Sequence, residues 1–194
     1  MTRSLALASN LLLVALVSAA AAAERHCAYL NAKRYCVPAA SFVTQPSGSP
    51  GIAVRTTIRD LLQEDLLYDR SSATVGIFVT IGEELRAAKM WQHWWSGSAH
   101  SADMGNAAGH LEKTGPNAFT IQRGATGTEL LIPRQDMETI PIGIAECKPS
   151  AEQCSLFFDV GNLHWRVTFP YERRLQLLAI RDAAIAYLEQ FGSD

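Results

Sequence analysis

The sequence has little excess charge of either sign: 17 lysines and arginines stand against 19 aspartates and glutamates in 194 residues, a net charge of -2. Such a balance offers no electrostatic footprint for DNA, RNA or an anionic membrane surface. At 48% hydrophobic and 19% charged residues, the chain also lacks the polar bias of a disordered protein. It has no internal repeat, and neither a collagen period nor a sustained heptad, so a fibrous rod is excluded. Past residue 23 no run approaches the roughly 20 apolar residues that a bilayer span needs. Motifs that carry chemistry are missing as well. Gly124-Ala125-Thr126-Gly127 lacks the lysine and the helix of a phosphate-binding loop. Gly97-Ser98-Ala99-His100 lacks the second glycine of a nucleophile elbow and follows a helix-like segment rather than a strand. No motif fixes a reaction, and no enzymatic activity, cofactor or metal is expected.

What is present begins with an address. Met1-Thr2-Arg3 is a short positive start, Leu5 to Val17 is mostly apolar, and small residues fill Ser18 to Ala23 before Glu24-Arg25. A basic start, an apolar stretch of about a dozen residues and an Ala-x-Ala exit describe a secretory signal peptide over residues 1–23. Ser9-Asn10 interrupt the apolar stretch, which is too short for a membrane anchor. Cys27 follows Glu-Arg-His, which is not a lipidation box. Removing residues 1–23 takes away one arginine and no acid, leaving 171 residues of net charge -3. The expectation is a periplasmic or secreted protein without stable membrane insertion, folded as a single domain over 24–194.

All four cysteines lie in that domain, and an oxidising compartment makes disulfides their default state. Cys27 and Cys36 flank Leu30-Asn31-Ala32-Lys33, while Cys147 and Cys154 flank Lys148-Pro149-Ser150-Ala151. Facing hairpin strands bring Cα atoms within disulfide reach, so local 27–36 and 147–154 links are expected. Each would contribute about 2–3 kcal/mol by restricting the unfolded chain. Cys-x-x-Cys metal spacing is absent from both pairs.

The hydrophobic pattern alternates mainly with period two. It predicts strands over Gly51–Arg59, Ala73–Ile81, Ala118–Arg123, Thr128–Ile132, Thr139–Cys147, Cys154–Val160 and His164–Phe169. Asp60 with Gln63 suggests the start of a short helix carrying Leu61, Leu62, Leu66 and Leu67. Glu83 to Trp95 reads as a second helix, with acids in its first turn. Residues 96–116, rich in Gly, Ser, Ala and Asn, read as a long loop, and 45–51 as a linker. Pro170 opens a final helix and Gly192 follows its end. Leu177, Ile180, Ala184, Leu188 and Phe191 form one apolar stripe that must lie on the preceding meander. The fold class is α+β: an antiparallel sheet backed by helices, with the C-terminal amphipathic helix packed on it.

Two sets of residues invite a functional reading. His93, His100, Asp103, His110 and Glu112 fall within twenty positions, but at six- and nine-residue histidine gaps rather than the tight spacing of zinc motifs. The second set is Met90, Trp91, Trp94 and Trp95, which crowd one helix end beside the long loop. Four large side chains in six residues cover more than half a helix circumference, so they cannot all face inward. Exposed tryptophan beside Ser, Gly and Asn suits a protein-binding surface, and the same rings could stack on a saccharide. The candidate partner-binding residues are Trp94, Trp95, His100, Asp103 and His110 on the loop, with Lys148 and Glu152 on the disulfide-closed hairpin.

Two stretches carry a resemblance. The start Cys27-Ala-Tyr-Leu-Asn-Ala-Lys-Arg-Tyr-Cys36-Val-Pro38 is one, and Ile144-Ala-Glu-Cys147, Cys154-Ser-Leu-Phe-Phe158, Trp165-Arg-Val-Thr-Phe169 and the amphipathic helix are the other. This layout resembles small periplasmic immunity proteins, which neutralise antibacterial effectors delivered by secretion systems. Cys147-Lys148-Pro149 followed by Cys154 is also similar to the loop that Ivy-type lysozyme inhibitors insert into their target, though two residues longer and without a histidine. Both resemblances imply an exported inhibitor of a protein partner, a cognate toxin or an envelope hydrolase. The alternatives are an extracytoplasmic hydrolase or metal-assisted enzyme using His93, His100 or His110, or an envelope accessory protein.

Overall fold

The computed structural model describes residues 24–43, 50–63, 73–81, 112–114, 119–123, 127–133 and 143–193; at 112–114, 119–123 and 132–133 it describes the backbone alone. The segment 1–23, the 45–49 part of the expected linker, the 83–95 helix and most of the long loop lie outside the described residues.

β1 (Arg25–Leu30) and β2 (Lys33–Pro38) form a hairpin in which Cys27 sits directly opposite Cys36. Its two-residue turn, Asn31-Ala32, has φ of 51° and 66°. Two left-handed residues in succession twist a hairpin turn in the same sense as its strands. β3 (Gly51–Thr57) follows the period-two pattern, but only as far as Thr57. There the chain turns into α1 (Ile58–Leu62), which starts two residues before the expected Asp60. The physical reason is a cap three residues earlier, at Thr57. Thr57 Oγ1 accepts a hydrogen bond from the Asp60 backbone N–H at 3.1 Å and donates one to Asp60 Oδ2 at 2.7 Å. Asp60 thus occupies the third position of the helix rather than its cap, and Gln63, in the left-handed region at φ 52°, ends it.

β4 (Thr74–Ile81) precedes six strands: β5 (Glu112–Thr114), β6 (Phe119–Arg123), β7 (Glu129–Pro133), β8 (Ile144–Lys148), β9 (Gln153–Val160) and β10 (Leu163–Pro170). β5 falls within residues expected to be loop. It pairs with β6 through Glu112↔Ile121 and Thr114↔Phe119, a ladder of backbone bonds that leaves no apolar alternation to detect. The observed order is β3-β4-β10-β9-β8-β7-β6-β5, antiparallel throughout. The expected three-strand meander is therefore the last three strands of a six-strand one, and the β3–β4 pair is added beside its last strand.

One sheet face is the core. Val54, Ile77, Val167, Leu156, Ala145 and Leu131 follow one another in register across six strands, all buried. α2 (Leu177–Glu189) covers that face, entered through a 3-10 stretch, Tyr171–Gln176, rather than directly from Pro170. Leu177, Ile180, Ala184 and Leu188 are buried in the same cluster as the strand residues, with Phe191 packed on it. The expected stripe thus lies on the sheet, and α1 packs beside α2.

The chain end returns to its start. β11 (Gly192–Ser193) pairs with β2 to complete a three-stranded β1-β2-β11 sheet, and the Cys36 N–H donates to the Phe191 carbonyl at 2.9 Å. Tyr35 Oη donates to Glu189 Oε1 at 2.9 Å, and Lys33 Nζ bonds the other carboxylate oxygen. Asn162, in the β9–β10 turn, bonds Asn31 at the β1–β2 turn through their amides.

Candidate functional site

Both expected disulfides form, between directly opposed strand residues with Cα–Cα separations of 4.1 Å for Cys27–Cys36 and 4.0 Å for Cys147–Cys154. They differ in setting. Cys27 is exposed, whereas Cys147 and Cys154 are buried in the core.

The second link closes the β8–β9 hairpin, whose tip is a 3-10 turn over Pro149–Ala151. Glu152 ends that turn in the left-handed region at φ 51°, a conformation a glutamate adopts only when its surroundings hold it. Three things hold it: the disulfide, the Glu152 N–H donating to the Pro149 carbonyl at 3.0 Å, and the Tyr171 N–H donating to the Glu152 carbonyl at 2.9 Å. The tip is thus stitched to the chain that leads into α2. Between them lies an open cleft of about 680 Å³, bordered by Thr74, Glu152, Gln153, Pro170, Tyr171 and Glu172. Among the described residues its walls hold two carboxylates, Glu152 and Glu172, and several apolar surfaces.

Tyr171 also secures the floor beneath the cleft. Glu129, on β7 opposite Cys147, is buried, and its Oε2 accepts a 2.8 Å hydrogen bond from Tyr171 Oη. Arg174 Nε approaches the same oxygen at 3.6 Å while its guanidinium lies 4.2 Å over the Tyr171 ring. A buried carboxylate needs such partners, and here they fix the 3-10 stretch on the core face. Sequence reasoning missed this trio, because Glu129 stands at the head of an apolar strand with nothing nearby to mark a partner 42 residues away.

Of the residues expected to contact a partner, Lys148 and Glu152 are exposed on the hairpin tip, with Lys148 Nζ 3.5 Å from Glu146. Trp94, Trp95, His100, Asp103 and His110 lie outside the described residues, as does His93. Glu112 is placed on β5 by its backbone alone. No group of three or more metal-binding side chains occurs among the described residues, and no described helix is long and apolar enough to cross a membrane.

The sheet's other face carries a second polar set. Asp159 and His164 are opposed across the Gly161-Asn162 turn, with His164 Nδ1 and Asp159 Oδ1 2.7 Å apart. His164 is buried, and its Nε2 has no hydrogen-bond partner among the described residues. Two residues along β10, Arg166 is exposed, flanked by Phe78 on β4 and Phe157 on β9. The spacing of Asp159 and His164 about a Gly-Asn turn, and an arginine alternating with Trp165 and Val167, were the available signals in the sequence.

The fold matches that of an immunity protein of the Stenotrophomonas maltophilia type IV secretion system, with a TM-score of 0.63 over 89% of this chain and 94% of that one. The two are 10% identical in sequence, so the likeness is one of fold, and it agrees with the layout resemblance. No protein-family model matches the chain, and no curated protein matches its sequence.

Proposed function

We propose that this chain is an exported immunity protein that neutralises an antibacterial effector by binding it, without chemistry of its own. The observation that carries the proposal is the fold likeness, which spans nearly the whole of both chains. The rest is compatible. Two local disulfides suit an oxidising compartment, and a rigid tip beside an open cleft suits occlusion of a partner's active site. Residues 1–23 act as the export signal in this reading. The contact set comprises Lys148 and Glu152 on the tip with Trp94, Trp95, His100, Asp103 and His110 from the preceding long segment.

The test is a competition between sister strains. A deletion strain is attacked by kin that deliver their effectors to its periplasm, and it is complemented with the full chain or with residues 24–194 alone. Death of the deletion strain, rescued only by the full chain, is expected. Survival of the uncomplemented strain overturns the immunity reading, and rescue by residues 24–194 made in the cytoplasm overturns its periplasmic site of action.

A further inference from the structure

We infer that the face of the eight-stranded sheet opposite α2, centred on Arg166, docks an acidic segment of the partner protein; this deepens the binding reading above. The inference rests first on Arg166 itself. It lies on β10, near the middle of the sheet, yet it is exposed, so this part of the face is open to solvent. Its guanidinium carbon stands 5.7 Å from the Phe78 ring centroid and 5.8 Å from that of Phe157, its direct cross-strand neighbours on either side. An arginine steadied between two rings has already lost much of its rotamer freedom. A partner that bonds it therefore loses less entropy than it would at a free side chain.

A second guanidinium shares the face. Arg55, on edge strand β3, is opposite Gly76, which is opposite Thr168, and Thr168 is two residues from Arg166 on the same side of β10. Arg55 is also exposed. On β4, between the two cations, the position opposite Arg55 is a glycine and carries no side chain. A Cβ on Gly76 would lie 2.7 Å from Thr168 Oγ1 and 2.9 Å from the Phe78 ring, so the glycine lets these two side chains close over the strand. The carboxylates on this face among the described residues are Glu146, 3.5 Å from Lys148, and Asp159, 2.7 Å from His164 Nδ1. Among the described side chains of this face, Arg55, Arg166 and Lys148 stand against Glu146 and Asp159, an excess of one positive charge on a chain whose net charge is -2. Planar guanidinium groups pair with carboxylates through two parallel hydrogen bonds, so Asp and Glu side chains are the matching chemistry.

The probe is a fluorescein-labelled deca-glutamate peptide, followed by anisotropy against the purified, oxidised protein at low ionic strength. Wild type is expected to bind it, and an Arg55→Glu/Arg166→Glu double variant to bind roughly tenfold or more weakly. Added salt is expected to abolish the difference. Arg166→Lys, which keeps the charge and loses the planar fork, is expected to fall between. Unfolding temperatures establish that the variants are folded, and Arg55→Glu, on the edge strand, provides the reading alone if the double variant is not. Absence of peptide binding to wild type, or equal binding by the variants, overturns the inference. Tighter binding of an oligothymidylate than of the peptide overturns it too, in favour of a nucleic-acid ligand. None of these outcomes depends on the strain competition, so the docking face and the immunity reading fail separately.

Discussion

Ala32 holds φ at 66°, where its Cβ crowds the following carbonyl, and it does so because the Asn31-Ala32 turn must twist with its strands. Replacing it with glycine removes that crowding. Ala32→Gly is expected to stabilise the protein by about 0.5–1 kcal/mol in urea unfolding, with Cys27–Cys36 intact; destabilisation would mean that the turn relaxes elsewhere. Tyr171 poses the opposite case. Tyr171→Phe keeps the ring under Arg174 but leaves Glu129 Oε2 without its 2.8 Å donor. A cost of about 1–2 kcal/mol is expected from the same measurement. At this scale the sequence was legible where the signal was local. The turn at Asn31-Ala32 and the cysteine pairs could be read, whereas the Glu129–Tyr171 bond joins residues far apart in the chain.

Among elements, the two disulfide hairpins look alike in sequence and differ in burial. Thiol–disulfide exchange requires a nucleophile to reach sulfur, so accessibility separates them. Mild dithiothreitol under native conditions, followed by alkylation and peptide mapping, is expected to label Cys27 and Cys36 while Cys147 and Cys154 stay linked. Equal labelling of all four would mean that the core hairpin opens as readily as the terminal one. Strand positions followed from alternation, and the C-terminal helix from its stripe, because both patterns are local periods. The order of strands was not legible. β4 lies beside β10 although 81 residues separate Ile81 from its partner Leu163 by more than a hairpin's reach, and no local rule selects that pairing.

At the scale of the whole molecule, the end of α2 and the strand after it are tied back to the β1–β2 hairpin. Lys33 and Tyr35 on β2 hold Glu189 at the end of α2. The hydrogen bond from Lys33, ahead of that from Tyr35, keeps the Glu189 carboxyl below its ordinary range. Its contribution is present above the unfolded pKa and is lost as pH falls through the lower folded value. Burial, then the bond to Glu189, raises the Tyr35 hydroxyl, whose contribution is present below its unfolded pKa and lost as pH rises through the folded value. Lys33→Met is therefore expected to flatten the loss of stability between about pH 5 and pH 3. The pair is exposed, so the difference is a few tenths of a kcal/mol. Unfolding midpoints of both proteins across that range check it, and parallel curves would show that the clasp carries no such linkage.

The sequence by itself determined the fold class, the local disulfides, the amphipathic final helix and the expectation of binding over chemistry. Each of these depends on periodicity, on close spacing or on what motifs are missing, all of which survive in a linear string. Only the tertiary structure decided the strand order, the buried Glu129 trio, the clasp of the chain ends and the row of Phe78, Arg166 and Phe157. These contacts depend on residues that meet because distant strands share one sheet face, and burial and register are properties of the packed chain alone.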